Sequence, residues 1–225
     1  MTLLAHQTEV RFPSSVDSTV RVLRAPLVRA TAETLAGFGE IVTDFATVVT
    51  HITPWPVSGW RPLSPGTGIE GGTTEGVFAV WREGGVLFGR NEAVGRQYIL
   101  GWYGDPASSS RDLEPESTSR LLTHEANYHP DGGQIFFARN GEPYVVLLAE
   151  PGDDVRPEDF VAFYVPGDVG VQLLPGVWHH PPAPLGERAE INDRQGKVHA
   201  CVDVDFLVEF NCYVEIPLEV PPELA

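Results

Sequence analysis

Apolar residues in this chain come in short runs, and in its second half few of them outlast the length of a β-strand before a turn former intervenes. Runs at 121–129, 134–138, 144–149, 160–165, 171–174 and 199–213 are strand-like, separated by turns such as Asn140-Gly141 and Pro166-Gly167-Asp168. No helical periodicity of useful length occurs there. This half therefore predicts an antiparallel barrel or sandwich, closed so that few edges stay exposed. The first half is more mixed. Residues 1–25 alternate weakly and predict an edge strand or an arm. A short helix is expected over 31–35, with Thr31 as N-cap, Glu33 in its first turn and Gly37 and Gly39 as its stop. Glu40-Ile41-Val42 would begin the first strand. The Pro/Gly-rich stretch 52–74, with Trp55 and Trp60, reads as a loop or lid, since loop tryptophans usually pack onto something. Runs at 77–81 and 86–89 flank Arg82-Glu83-Gly84-Gly85 as a hairpin, 97–103 gives another strand, and 104–120 is a polar surface loop.

The expected architecture is a single all-β domain over 1–225. Within it, 46–119 is an extended insertion or additional sheet region, and 120–217 is the barrel half. With 42% hydrophobic residues a substantial core is available, and 23 glycines and 20 prolines suit many short strands joined by tight turns. Charge removes one class of partner: 31 acidic against 15 basic side chains leave −16, a surface that repels phosphate backbones, so nucleic acid is not expected. Two cysteines, Cys201 and Cys212, argue against a disulfide scaffold and a cysteine zinc site, and read as buried thiols or, at most, one bridge. The N-terminus lacks the pattern of a signal peptide, and no apolar run is long enough to cross a bilayer. A cytoplasmic protein without membrane contact is the expectation.

Two segments carry candidate chemistry. The first is His124-Glu125-Ala126-Asn127-Tyr128-His129, followed by Gln134 and Gly141; the second is Pro175-Gly176-Val177-Trp178-His179-His180. Residues two apart in a strand share a face, so Glu125, Asn127 and His129 should point the same way. Gln134 opens the next strand beyond the turn at 130–133 and can face the same cavity, while His179 follows a Pro-Gly turn. His180, on the opposite side of a regular strand, would support the site or the fold. The spacing Asn127-x-His129-x4-Gln134-x6-Gly141, then Leu174-x-Gly176-x-x-His179, resembles the two cupin motifs, with two of the four usual ligands altered. That resemblance implies a double-stranded β-helix, the cupin barrel.

At finer grain the chain resembles the ureidoglycolate lyase family. The likeness lies in His124-Glu125-x3-His129-Pro130, Gln134-x-Phe136, Gly141-Glu142-x-Tyr144-Val145-Val146, Gly170-Val171 and above all Val177-Trp178-His179-His180-Pro181. Gly37-Phe38-Gly39-Glu40-Ile41-Val42 and Asn211-Cys212-x-Val214-Glu215-Ile216-Pro217 join it, while 46–119 matches poorly. Where the family has an Asp-Arg-Gly-type stretch, this chain has Phe206-Leu207-Val208-Glu209-Phe210. The resemblance implies a carbon–nitrogen lyase that cleaves ureidoglycolate to glyoxylate and urea, as in allantoin degradation and purine metabolism. It also implies a divalent metal (nickel, zinc or manganese) as cofactor and, as for many cupins, a homodimer. The partner is then a small carboxylate substrate.

Such a reaction needs a general base for the hydroxyl proton, an acid for the urea nitrogen and donors for the carboxylate. His129 and His179 are the leading base candidates, and Glu125 is a third catalytic candidate. Asn127, Gln134 and His180 are expected to bind substrate. His129, Gln134 and His179 would ligate a metal, although two histidines with Gln and Asn make a neutral, weak set, so metal-bound and metal-free operation stand side by side. The arginines are too scattered along the sequence to single out a carboxylate binder. Two rivals remain at this stage: another metal-dependent cupin enzyme (isomerase, dehydratase or dioxygenase), and a non-catalytic cupin that binds a small acid.

Overall fold

The computed structural model describes residues 20–53, 59–64, 72–196 and 201–225. Residues 1–19, most of the expected edge strand or arm, lie outside them, as do Trp55 and His199. The described chain is almost wholly β. Its strands are β1 (Arg21–Arg24), β2 (Leu27–Arg29), β3 (Gly39–Val42), β4 (Thr73–Glu83), β5 (Val86–Asn91), β6 (Arg96–Trp102), β7 (Arg120–Thr123) and β8 (Glu125–Tyr128). There follow β9 (Gln134–Ala138), β10 (Tyr144–Ala149), β11 (Val161–Val165), β12 (Gly170–Leu173), β13 (Trp178–Pro184), β14 (Arg188–Gly196), β15 (Val202–Asp205), helix α1 (Phe206–Phe210) and β16 (Cys212–Pro217).

Two sheets form. One has ten strands in the order β1-β16-β7-β6-β5-β4-β14-β9-β12-β3; the other has six, β15-β8-β13-β10-β11-β2. Between them lies the main core, to which Val80, Phe136 and Ile191 contribute from the larger sheet and Val145, Leu147, Phe163 and Ala183 from the smaller, and a second cluster of Val86, Phe88, Trp102, Leu122 and Tyr213 packs on β5–β7 and β16. Each such fully buried large aliphatic or aromatic side chain stabilises the fold by roughly 1.5–3 kcal/mol. This double-sheeted arrangement is consistent with the expected double-stranded β-helix; among the described residues it is two facing sheets rather than one continuous hydrogen-bonded cylinder.

Three expectations change, and the region 46–119 takes a definite place. The 31–35 helix is a single turn: Leu35 N donates to Thr31 O and Thr34 N to Thr31 Oγ1, and Gly37 at φ 93° ends it before a second turn can form. The region 46–119 supplies β4, β5 and β6, which stand in the middle of the ten-stranded sheet between β14 and β7. The run 121–129 is two strands in two sheets, broken at His124, whose carbonyl accepts from Phe206 N at 2.6 Å. The run 199–213 contains α1, one short helix that the apolar pattern hid. Its N-cap is Asp205, whose carboxylate accepts from Leu207 N and Val208 N, and it stops at Asn211, the one described non-glycine residue with positive φ.

A strand that the apolar runs did not indicate, β14, is central. Its inward positions read Ala189, Ile191, Asp193, Gln195, all buried, so polar residues occupy core sites along an otherwise ordinary alternation. It pairs with β4 on one side and β9 on the other.

Candidate functional site

The local chain explains how the two motif segments meet. After β8 the chain turns at 130–133, where Gly133 is required by space: a Cβ there would fall 1.9 Å from the Leu173 carbonyl oxygen. Gly133 N donates to His51 O, and the Pro175-Gly176 turn is fastened to the first motif by Gly176 N donating to His129 O at 3.2 Å. β13 then pairs with β8, placing His179 opposite Asn127. The rings of His129 and His179 lie 5.1 Å apart between centroids, both nearly excluded from solvent.

These residues border a cavity of about 290 Å³, whose lining includes Glu125, Asn127, His129, Gln134, His179 and His180. Its size is near the lower end of ligand pockets, roughly 300–1,000 Å³. All six residues singled out in the sequence thus come together. A larger groove of about 460 Å³ beside Trp60, Tyr128 and Pro130 has Asp153 as its single acidic side chain. That carboxylate is already held by the Tyr128 hydroxyl and the Arg61 backbone N–H, so the smaller cavity holds the chemistry.

A hydrogen-bonded chain orders the first motif. The Asp193 carboxylate accepts from Gln134 Nε2 at 2.7 Å and from Asn91 Nδ2 at 2.8 Å. A carboxylate accepts only, so both amide groups turn their NH₂ toward it, and Gln134 Oε1 is left to face His129 Nε2 at 3.1 Å. His129 must therefore present Nε2–H there, which makes Nδ1 the acceptor facing the Cys201 thiol at 3.6 Å. Burial pushes the Cys201 thiol up, keeping it protonated. Burial also pushes Asp193 up to about 6, held from rising further by the Gln134 and Asn91 amides.

The second motif is different. His179 donates from Nδ1 to Val177 O at 3.0 Å, leaving Nε2 as an acceptor. Burial, with His129 and then His180 adding to it, pushes its imidazole down to about 3 against the backbone carbonyl's opposing pull, so it is neutral in ordinary buffers and a weak base. Burial likewise brings His180 down to about 4, despite the carbonyls of Leu100 (2.6 Å from Nε2) and Pro181 (2.8 Å from Nδ1), which favour the charged form. Neutral, it donates to Leu100 O and ties β13 to β6. Both neighbours, His179 and His180, reach the cavity lining; the pairing with β10 slips beyond them, between Val145 and Leu147.

Glu125 is half exposed at its side chain and opens on the cavity. Desolvation among its neighbours raises its pKa; His124 opposes this, and the carboxylates of Asp203 and Asp205 add to it. Water access at this position moderates the rise. Asn127 Oδ1 is buried without a hydrogen-bond partner among the described residues. Sequence reasoning missed Asp193, Asn91, Arg96, Tyr98, Cys201 and Asp203. For Asp193 the signal was present, as an acid on the inward phase of an alternating run. The others announce themselves only once β4–β6 and β15 are in place.

The expected metal ligands do not fit a metal in this arrangement. Gln134 Oε1 and His129 Nε2 are engaged with each other, His129 Nδ1 faces the Cys201 thiol, His179 Nδ1 faces the Val177 carbonyl and leaves Nε2 as the one imidazole nitrogen of the set turned to no such partner, and among the described residues no three His, Cys, Asp or Glu side chains gather closely enough to hold an ion.

Comparison with known proteins falls on this same stretch. Residues 116–211 match the ureidoglycolate lyase family. The stretch contains both motif segments, β14 and the Asp193–Gln134–His129 chain. The chain is 40% identical over 94 residues to a ureidoglycolate lyase of Azotobacter vinelandii, covering 41% of this chain and 54% of that one. Ureidoglycolate lyases of Brucella anthropi (41% over 71 residues; 31% and 41% of the two chains) and Stutzerimonas stutzeri (38% over 88 residues; 38% and 52%) are similar in the same way. The chain spans about half the length of the relatives it matches. The ureidoglycolate lyase likeness ends short of β4–β6, although Phe78, Asn91, Arg96, Tyr98 and Leu100 from those strands line the cavity.

Proposed function

We propose that this protein is a carbon–nitrogen lyase that cleaves ureidoglycolate to glyoxylate and urea in the cavity between its two sheets. The observation that carries the reading is convergence: the stretch similar to ureidoglycolate lyases supplies every motif residue around one small polar cavity.

The substrate is a hemiaminal. Its hydroxyl proton goes to a base, the O–H electron pair forms the aldehyde C=O, and the C–N bond breaks with its pair moving to nitrogen. That nitrogen takes up a proton, and urea leaves. Glu125 is the group suited to moving this proton, because its raised pKa brings it toward neutrality whereas His179 is held at about 3. His179 Nε2, a neutral acceptor, positions the hydroxyl. The orphaned Asn127 Oδ1 is matched by the ureido N–H groups, which would give it the donor it lacks. His129, fixed by Gln134 and Asp193, shapes the cavity wall, with both ring nitrogens facing protein atoms.

Release of glyoxylate from ureidoglycolate by the purified protein, above the uncatalysed rate and lost in Glu125→Gln, is the expected result. No release from folded protein, with or without added divalent metals, would refute it. A homodimer pairing through sheet edges and a cytoplasmic location go with this reading; a dimer mass on sizing checks the first. No helix among the described residues is long and apolar enough to cross a membrane.

A further inference from the structure

A small acid approaching a chain of net charge −16 is repelled unless the cavity supplies a local cation. One is present. Arg96, the first residue of β6, is the single arginine or lysine among the described residues that lines the cavity. Other partly buried arginines have fixed partners: Arg61 closes on Glu209, Arg82 on Glu114 and Glu187, Arg194 on Glu75, and Arg29 donates to the Leu224 carbonyl. Arg96 is half-buried and makes no ion pair or hydrogen bond among the described residues. Its charge nevertheless acts on Tyr98, Cys201 and Asp203, favouring the ionised form of each, and all three line the same cavity. The carboxylate among these, Asp203, is engaged by the Ser64 hydroxyl. A guanidinium standing over a cavity without a fixed partner presents the planar fork that receives a carboxylate through two parallel N–H···O bonds.

We propose that Arg96 binds the substrate carboxylate and makes the cavity selective for small α-hydroxy and α-keto acids over their uncharged amides. This rests on the lyase reading for the identity of the substrate but not for the class of ligand. It also gives a role to the β4–β6 sheet, which lies outside the similarity to known lyases.

The test uses oxamate as the charged probe and oxamide as the uncharged one, in calorimetric titrations of the full chain and of Arg96→Met and Arg96→Gln. Wild type should bind oxamate, and both variants should bind it more weakly by on the order of 10–100-fold, the loss expected for a charge-assisted pair. Oxamide affinity should not change. For ureidoglycolate, KM should rise far more than kcat falls. Because Arg96 has no ion-pair or hydrogen-bond partner to strand among the described residues, both variants should keep the unfolding midpoint of wild type, and two chemically different replacements guard against one that does not fold. Unchanged oxamate affinity in a folded variant, or no oxamate binding by wild type, would overturn the assignment. Oxamate binding that depends on Arg96 with no glyoxylate released would support the carboxylate site and sink the lyase reading. Glyoxylate release with an unaltered KM in Arg96→Met would do the reverse.

Discussion

The stretch 116–211 and the β4–β6 sheet contribute to one cavity in different ways. The first resembles ureidoglycolate lyases and brings Glu125, Asn127, His129, Gln134 and His179, the groups able to move protons and accept hydrogen bonds. The second lies outside that likeness and brings Arg96, Tyr98 and Asn91. The β4–β14 ladder joins them, and two buried side-chain hydrogen bonds add to it: Asn91 to Asp193, and His180 to the Leu100 carbonyl. The difference teaches that reaction chemistry and ligand charge selection can sit on different strands of one continuous sheet.

The comparison breaks first at the proton carrier. Glu125→Gln should lower kcat for glyoxylate release by about 10²–10⁴, the usual contribution of a positioned acid–base group, with little change in KM. An equal loss in an arginine variant of β6 would erase the division of labour. Next comes the joint at Asp193. Replacing it with alanine strands two amide donors and should cost roughly 2–5 kcal/mol in urea unfolding, weakening both regions together.

A smaller effect lies in acid. His180 is protonated at about 6.5 when free but only near 4 when folded. Between these values the unfolded chain binds the extra proton, so its contribution to stability is intact above 6.5 and lost as pH falls toward 4. His180→Asn should flatten that part of the stability–pH profile; an unaltered slope would mean that burial does not hold the ring neutral. Stripping divalent metals with a chelator should leave turnover unchanged, since His129 and Gln134 are engaged with each other. The smallest expected change is for Arg90→Gln. Its pair with Glu92 is exposed, so stability should move by less than about 0.5 kcal/mol and KM not at all, in contrast with Arg96 nearby.

What could be read from the sequence follows from range. Strands β9 and β10 were legible to the residue because their apolar runs end at Gly and Pro turns, and the His129–His179 meeting followed from motif spacing. The split at His124 was invisible, because an alternating run looks the same whether or not it changes sheet. Helix α1 is too short to show a period and is written in its cap, Asp205, rather than in its apolar face. Arg96 could not be chosen in advance, since only the pairing of β6 between β5 and β7 brings residue 96 to the cavity that Glu125, His129 and His179 line. The assignment of the base changed for a reason sequence does not carry: burial beside two other imidazoles makes His179 a weak one.

A crystal structure of the protein with oxamate bound tests the central claim most directly. The account predicts the carboxylate on the Arg96 guanidinium and the opposite end between Glu125, Asn127 and His179, with the rings of His129 and His179 still in contact. Oxamate seated in the groove beside Trp60, or within the cavity but away from Arg96, would contradict it.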